Sequence, residues 1–192
     1  MAPRAIPLAL TLLRAALAPI VVLLAILQPL PWAFGTCLSL AFASDVFDGA
    51  VARRLGVSTD GLRRMDSIAD SIFYAAAVYA VWRLHPEVLL AHLPSLALLA
   101  ALEATRYGID LAKFRREASY HMWSSKLWGI ALFLAFFGVL ARDGDAMLVP
   151  LAIWFGIAAD IEGVAISLAL PRWKADVPTV LHALRIRRAA AR

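Results

Sequence analysis

Asp45, Asp48, Asp66 and Asp70 punctuate the stretch Ser44–Ser71, SDVFDGAVARRLGVSTDGLRRMDSIADS. Asp45, Asp48 and Asp70 lie beside or within strongly apolar runs, and Asp66 follows a basic loop. A charge among membrane-type sequence is costly and usually functional. Converging carboxylates repel one another unless a cation stands between them. The stretch contains no histidine or cysteine, which speaks against zinc. Hard ions, Mg²⁺ or Mn²⁺, prefer oxygen ligands and commonly share them with substrate phosphates. Two such ions about 4 Å apart clamp a phosphate undergoing displacement. Arg53 adds a planar fork suited to phosphate. These residue types therefore suggest metal-assisted chemistry on a phosphorylated, lipidic substrate.

The elements that must position them are helical. On one helix over Trp32–Arg54, Asp45, Asp48, Gly49 and Ala52 fall within about 60° of each other. Gly49 and Ala52 leave room for a bulky group to approach the backbone. Asp66 and Asp70 are one turn apart at the expected start of the next helix. The loop Leu55–Met65 lets the two helices run antiparallel, so that the acids converge.

Composition points to a membrane. Of 192 residues 62% are hydrophobic, and the mean hydropathy is +0.74, beyond ordinary soluble domains. Six apolar stretches are predicted spans: Ile6–Leu27, Trp32–Val51, Ser67–Trp82, Val88–Leu111, Leu127–Leu140 and Met147–Leu170. The third and fifth are short for a bilayer, so their helices must continue past the hydrocarbon. The fold class expected is all-α, a polytopic membrane protein with six transmembrane helices, read as one domain over residues 1–192. The single cysteine, Cys37, excludes an intramolecular disulfide and reads as packing. The net charge of +5 comes without a basic patch interleaved with exposed aromatics, so no nucleic-acid partner is expected.

Charge sets the orientation. Arg53, Arg54, Arg63 and Arg64 flank the second connection, and Lys113, Arg115, Arg116 and Lys126 flank the fourth. A basic tail over residues 171–192 follows the sixth span. The first connection carries no charge, and the third and fifth carry Arg83 and Arg142. The positive-inside rule then places both termini and the aspartates on the cytoplasmic side. In the tail, Trp173, Val177, Val180, Leu181 and Leu184 are spaced for one face of a helix starting at Asp176 or Pro178. An interfacial helix on an anionic leaflet and a solvated basic tail both fit it.

The aspartate stretch resembles the signature of the CDP-alcohol phosphatidyltransferases, D-x-x-D-G-x-x-A-R, eight residues, G, three residues, D, three residues, D. Asp45, Asp48, Gly49, Ala52, Arg53, Asp66 and Asp70 match, seven of eight fixed positions. The second glycine of the pattern would fall at 62, which is leucine, and Gly61 is its nearest substitute. Leu10-Thr11-Leu12-Leu13-Arg14 is similar to the opening of several bacterial members.

The resemblance implies a bacterial inner-membrane enzyme, homodimeric as family members commonly are, with its site towards the cytoplasm. It would transfer a phosphatidyl group from a CDP-linked lipid, CDP-diacylglycerol, to an alcohol acceptor and release CMP. Two Mg²⁺ or Mn²⁺ ions would be held by Asp45, Asp48 and Asp66 with Asp70 beside them. Asp45, Asp48, Gly49, Ala52, Arg53 and Gly61 would face the CDP-lipid, and Asp70 would be the general base.

The acceptor has two readings. Arg106 and Lys126 suit an acceptor phosphate, as in glycerol 3-phosphate or inositol phosphate. Asp66-Ser67-Ile68-Ala69-Asp70 is somewhat like the serine-accepting members. Other residues also keep two readings. Glu103 and Arg106 line an acceptor pocket or form an intrahelical pair. Lys126 binds phosphate or snorkels. His121 is a ligand or, more often, a polar interface residue. Arg14 snorkels or faces the site. Asp160 and Glu162 serve helix packing or function. Trp32, Trp82 and Trp173 fit an aromatic belt. A rival function, a cation- or proton-coupled transporter, would spread acids through the bilayer depth and break helices near its midplane. Here they gather at one mouth beside Arg53. A non-catalytic scaffold gives no reason for the spacing.

Overall fold

A computed structural model describes residues 5–54, 59–117, 119–120 and 122–190, and only the backbone at 50, 52, 53, 60 and 63. The described residues are helical, with no strand among them. In order they form α1 (Ala5–Leu27), α2 (Pro31–Arg54), α3 (Asp60–Leu84), α4 (Pro86–Ala91), α5 (Leu93–Phe114), α6 (Trp123–Ala141), α7 (Val149–Ala169) and α8 (Val180–Ala190). Among the described residues α1, α6 and α7 are long and apolar enough to cross a membrane. The other long helices, α2, α3 and α5, do not qualify by composition, because they carry the charged residues of the chain's polar clusters.

The chain divides into two compact units, residues 1–90 with 135–146, and residues 91–134 with 147–192. In the first unit α1 packs on α2 and α3. Its buried face is Pro7, Thr11, Arg14, Leu17, Ala18, Val21 and Ala25, at spacings of three and four that define one stripe. Ala41, Ala69, Ala76, Ala77 and Ala80 are also buried. Such small residues let helices approach where lipid offers no hydrophobic drive for association. Cys37 is buried in α2, in keeping with its packing role.

The second helix starts with Pro31, whose missing N–H costs nothing at that position. The third is capped by Thr59, whose Oγ1 accepts the Leu62 N–H at 3.3 Å. It therefore begins at Asp60, earlier than expected, and Asp66 and Asp70 sit inside it rather than at its start. The predicted loop Leu55–Met65 is correspondingly shorter, and its residues 55–58 lie outside those described.

The second unit is built by α5, α7 and α8 with the first part of α6. The expected fourth span, Val88–Leu111, is two helices. Pro94 has no N–H to give the carbonyl one turn back, so it suits the first turn of a new helix and not the interior of a continuous one. The chain turns at His92, whose carbonyl accepts from the Ser95 hydroxyl at 2.9 Å. The carbonyls ending α7 are satisfied by Lys113, whose Nζ donates to Ser167 and Leu168 at 2.8 and 3.0 Å.

Two acids hold this unit together, Asp110 buried and Glu162 half-buried. Asp110 accepts from the Ser167 hydroxyl at 2.6 Å and from Tyr120 at 3.2 Å. Burial pushes the Tyr120 phenol up to about 12, so it stays protonated and can donate. Glu162 accepts from the Ser124 hydroxyl at 2.6 Å and from the Val180 N–H at 3.3 Å. It thus ties α7 to the starts of α6 and α8, and the helix-packing reading holds for it.

The tail helix differs from its expected stripe. It begins at Val180, because Asp176 adopts a left-handed conformation, φ 57°. Ala183 is buried, with Val180 and Ile186 packed against Tyr120, Met122, Ile166, Leu170 and Val177. Leu181 and Leu184 face outward instead.

Gly138 lies against the backbone at Asp145. A Cβ on Gly138 would stand 2.5 Å from the Asp145 carbonyl oxygen, a backbone atom, whereas one on Gly129 would meet nothing within 4 Å. Gly138→Ala should cost about 1–3 kcal/mol, and Gly129→Ala should not destabilise. Thermal unfolding in detergent compares the two, and equal midpoints would refute the packing described.

Candidate active site

The first unit brings the four aspartates together, and it does so around Arg14. Asp45 and Asp48 project from α2 one turn apart, Asp66 and Asp70 from α3, and Arg14 reaches them from the buried face of α1. Its Nη1 lies 3.0 Å from Asp66 Oδ1 and 3.2 Å from Asp45 Oδ1, and it also donates to Asp70. Its Nη2 donates to Asp48 Oδ2 at 2.5 Å. Its Nε reaches the Ser44 hydroxyl at 3.5 Å, and that hydroxyl donates to the Ala41 carbonyl at 2.7 Å. Arg14 is 1% exposed. One guanidinium is therefore shared by four carboxylates.

The cluster has a closed and an open side. The Asp48 side chain is 5% exposed, those of Asp66 and Asp70 about a third, and that of Asp45 47%. Four acids against one arginine leave a formal excess of three negative charges. Ligand oxygens of Asp45, Asp48 and Asp66 lie within 4.8 Å of one another. An all-carboxylate donor set with unbalanced charge fits a hard divalent ion.

The other predicted site residues are distributed as follows. Gly49 is half-buried in α2 beside Asp48. Ala52 and Arg53 lie in the last turn of α2, with side chains outside the described residues. Gly61 is exposed in the first turn of α3, and a Cβ there would meet nothing within 4 Å. Among the described residues, no packing requires glycine at that position. In the second unit Arg106 pairs with Glu103 on its own helix and lies 3.1 Å from Asp160 Oδ1 on α7. Gly163 makes room for it, since a Cβ there would stand 2.6 Å from Arg106 Cδ. The intrahelical pair is thus present, with Asp160 as a third member. Lys126 is exposed in the first turn of α6, its Nζ 4.3 Å above the Trp123 ring, an arrangement suited to a snorkelling lysine. His121 lies outside the described residues.

Arg14 is the residue that sequence reasoning left undecided. Its signal was present in the helical spacing. Thr11, Arg14, Ala18, Val21 and Ala25 share one stripe of α1 with small and β-branched residues, the stripe that packs. A cation on that stripe needs an acid partner inside the protein.

Sharing has a measurable consequence. Removing Arg14 takes the partner from four acids at once, while neutralising one acid removes a single partner and relieves repulsion among the rest. Breaking a buried pair from one side costs about 3–5 kcal/mol. In EDTA, Arg14→Gln should lower the unfolding midpoint more than Asp→Asn at 45, 48, 66 or 70. The reverse ranking would contradict a shared counter-ion.

Comparison with known proteins places this cluster in a family. No curated protein and no solved structure matches the chain at a significant level. The family model for CDP-alcohol phosphatidyltransferases matches residues 4–162, which takes in Arg14 and all four aspartates. The match spans most of the chain and the whole of the acidic constellation, so the protein belongs to the CDP-alcohol phosphatidyltransferase family, transferases of substituted phosphate groups in phospholipid synthesis.

Proposed function

We propose that the protein transfers a phosphatidyl group from CDP-diacylglycerol to a phosphorylated polyol, such as glycerol 3-phosphate or inositol phosphate, with release of CMP. The observation that carries this reading is the convergence of Asp45, Asp48, Asp66 and Asp70 within one unit of a family member. A transporter would have no need of four acids on one spot.

Asp45, Asp48 and Asp66 would hold two Mg²⁺ or Mn²⁺ ions, with Asp70 beside them. The ions would supply positive charge to the pyrophosphate as negative charge builds on the leaving group. Asp45, Asp48, Gly49, Ala52, Arg53 and Gly61 would face the donor's cytidine and phosphates, Arg53 as a residue type whose planar fork suits a phosphate oxygen. The acceptor hydroxyl oxygen attacks the lipid-side phosphorus. The bond from that phosphorus to the CMP oxygen breaks, and the hydroxyl proton passes to the Asp70 carboxylate. A base needs hydrogen-bond reach and access, and Asp70 is a third exposed. Arg106 and Lys126 are the candidates for recognising an acceptor phosphate.

The protein is an integral membrane protein by its apolar helices and family. We place it in a bacterial inner membrane as a homodimer with six spans, using α1, α2, α3, α5, α6 and α7. The aspartates then open to the cytoplasm, with the exposed Arg185, Arg187 and Arg188 of α8 on the anionic leaflet.

Purified protein offered CDP-diacylglycerol with Mg²⁺ or Mn²⁺ should release CMP only with metal, and faster with a phosphorylated polyol than with serine. A preference for serine would reassign the acceptor, and no metal-dependent release with any acceptor would defeat the proposal. Asp70→Asn should keep CDP-lipid binding and lose turnover by about 10²–10⁴-fold, whereas near-normal turnover would remove Asp70 as the base. A cysteine at Thr59 in a Cys37→Ser background should react with a membrane-impermeant thiol reagent only from the cytoplasmic side. Labelling from the opposite side would reverse the orientation.

A further inference from the structure

We infer that Arg14 is a tethered counter-ion occupying the seat of the divalent ions, and that metal binds by displacing its guanidinium. The inference rests on the reading of Asp45, Asp48 and Asp66 as metal ligands. Those acids, whose oxygens lie within 4.8 Å of one another, are the same acids that Arg14 engages through Nη1 and Nη2. An ion taking all three would draw on carboxylates that the two guanidinium nitrogens already engage. A guanidinium has only donors, so it cannot enter a metal's coordination shell. It also cannot lose its proton to become neutral. Sharing the seat would press like charges together on the side of the cluster where Arg14 and Asp48 are buried.

Exchange satisfies both states. Without metal, Arg14 offsets part of the acids' repulsion and lets α2 and α3 pack on α1. With metal, the ions take over that role and the guanidinium withdraws. Its long stem provides the freedom to move. The apparent affinity for metal is then the intrinsic affinity reduced by the cost of expelling Arg14. Arg14 is in this sense a positioning residue, acting through the ligands rather than on substrate.

The test uses the full chain in detergent micelles without CDP-lipid, with Mn²⁺ as the probe and free Mn²⁺ read from its paramagnetic resonance signal. Arg14→Gln should bind Mn²⁺ at least about tenfold more tightly than wild type, a change of about 1.4 kcal/mol. Equal or weaker binding would overturn the exchange. Should Arg14→Gln fail to fold, Arg14→Lys carries the test, because a single ammonium lacks the two-nitrogen fork that reaches the four acids. Tighter binding supports the exchange, and equal or weaker binding overturns it.

Competition for one seat is tested separately in Arg14→Ala. Ethylguanidinium should raise the apparent Mn²⁺ dissociation constant in proportion to its concentration, beyond the effect of equal tetramethylammonium. Indifference to ethylguanidinium would overturn the shared seat. A wild type and Arg14→Gln that both bind no Mn²⁺ would overturn the metal reading, and the exchange with it. Uptake by wild type with no gain in the variant would overturn the exchange alone.

Discussion

Four carboxylates around one guanidinium, between helices of a largely apolar chain, are the constraint on which the first unit depends. Like charges at this distance must be held by something stronger than their repulsion. The holding is done in two ways. Arg14 pairs with every one of the acids. The small residues of the packed helices, Ala18, Ala41, Ala69 and Ala76 among them, bring the backbones close enough for one side chain to reach four others. The remaining charge imbalance gives the site its appetite for a cation. A structure optimised only for stability would not carry it, and functional sites commonly hold such unfavourable arrangements.

The second unit handles its acids differently. Asp110 and Glu162 are satisfied by hydroxyls and a backbone N–H, and they fasten helices to one another. Glu103, Arg106 and Asp160 are less complete. Among the described residues, Glu103 Oε2 and Asp160 Oδ2 are buried without a hydrogen-bond partner. Such atoms carry a desolvation cost, so this cluster is not purely structural glue. That is why Arg106 stays a candidate for substrate recognition while Glu162 does not.

Much of the site was legible in residue type and spacing. Asp45 and Asp48 one turn apart, and Asp66 and Asp70 one turn apart, meant two helical edges facing each other, and the helices do present them so. The expectation of a hard divalent ion came from the carboxylates themselves, and the absence of histidine and cysteine spoke only against zinc. What escaped was of two physical kinds. Helix boundaries depend on local caps, so Thr59 moved the start of α3 and Pro94 split the expected fourth span. The tail was misaligned because Asp176 takes a left-handed conformation that its residue type permits but does not announce. Partner choice is the other kind. Arg14 lies in sequence 31 residues before Asp45, and only tertiary packing decides which acid a buried arginine meets. Spacing alone could tell that it faced inward, not that it faced all four.

As a divalent-metal seat for a pyrophosphate donor, these aspartates should hold metal when the donor is bound. Anomalous diffraction from crystals grown with Mn²⁺ and a CDP-lipid tests it most directly. The account predicts anomalous peaks between Asp45, Asp48 and Asp66, with the donor's pyrophosphate against them and the Arg14 guanidinium moved off the carboxylates. Arg14 still bonded to the four acids, with no Mn²⁺ peak among them while the donor is bound, would contradict it.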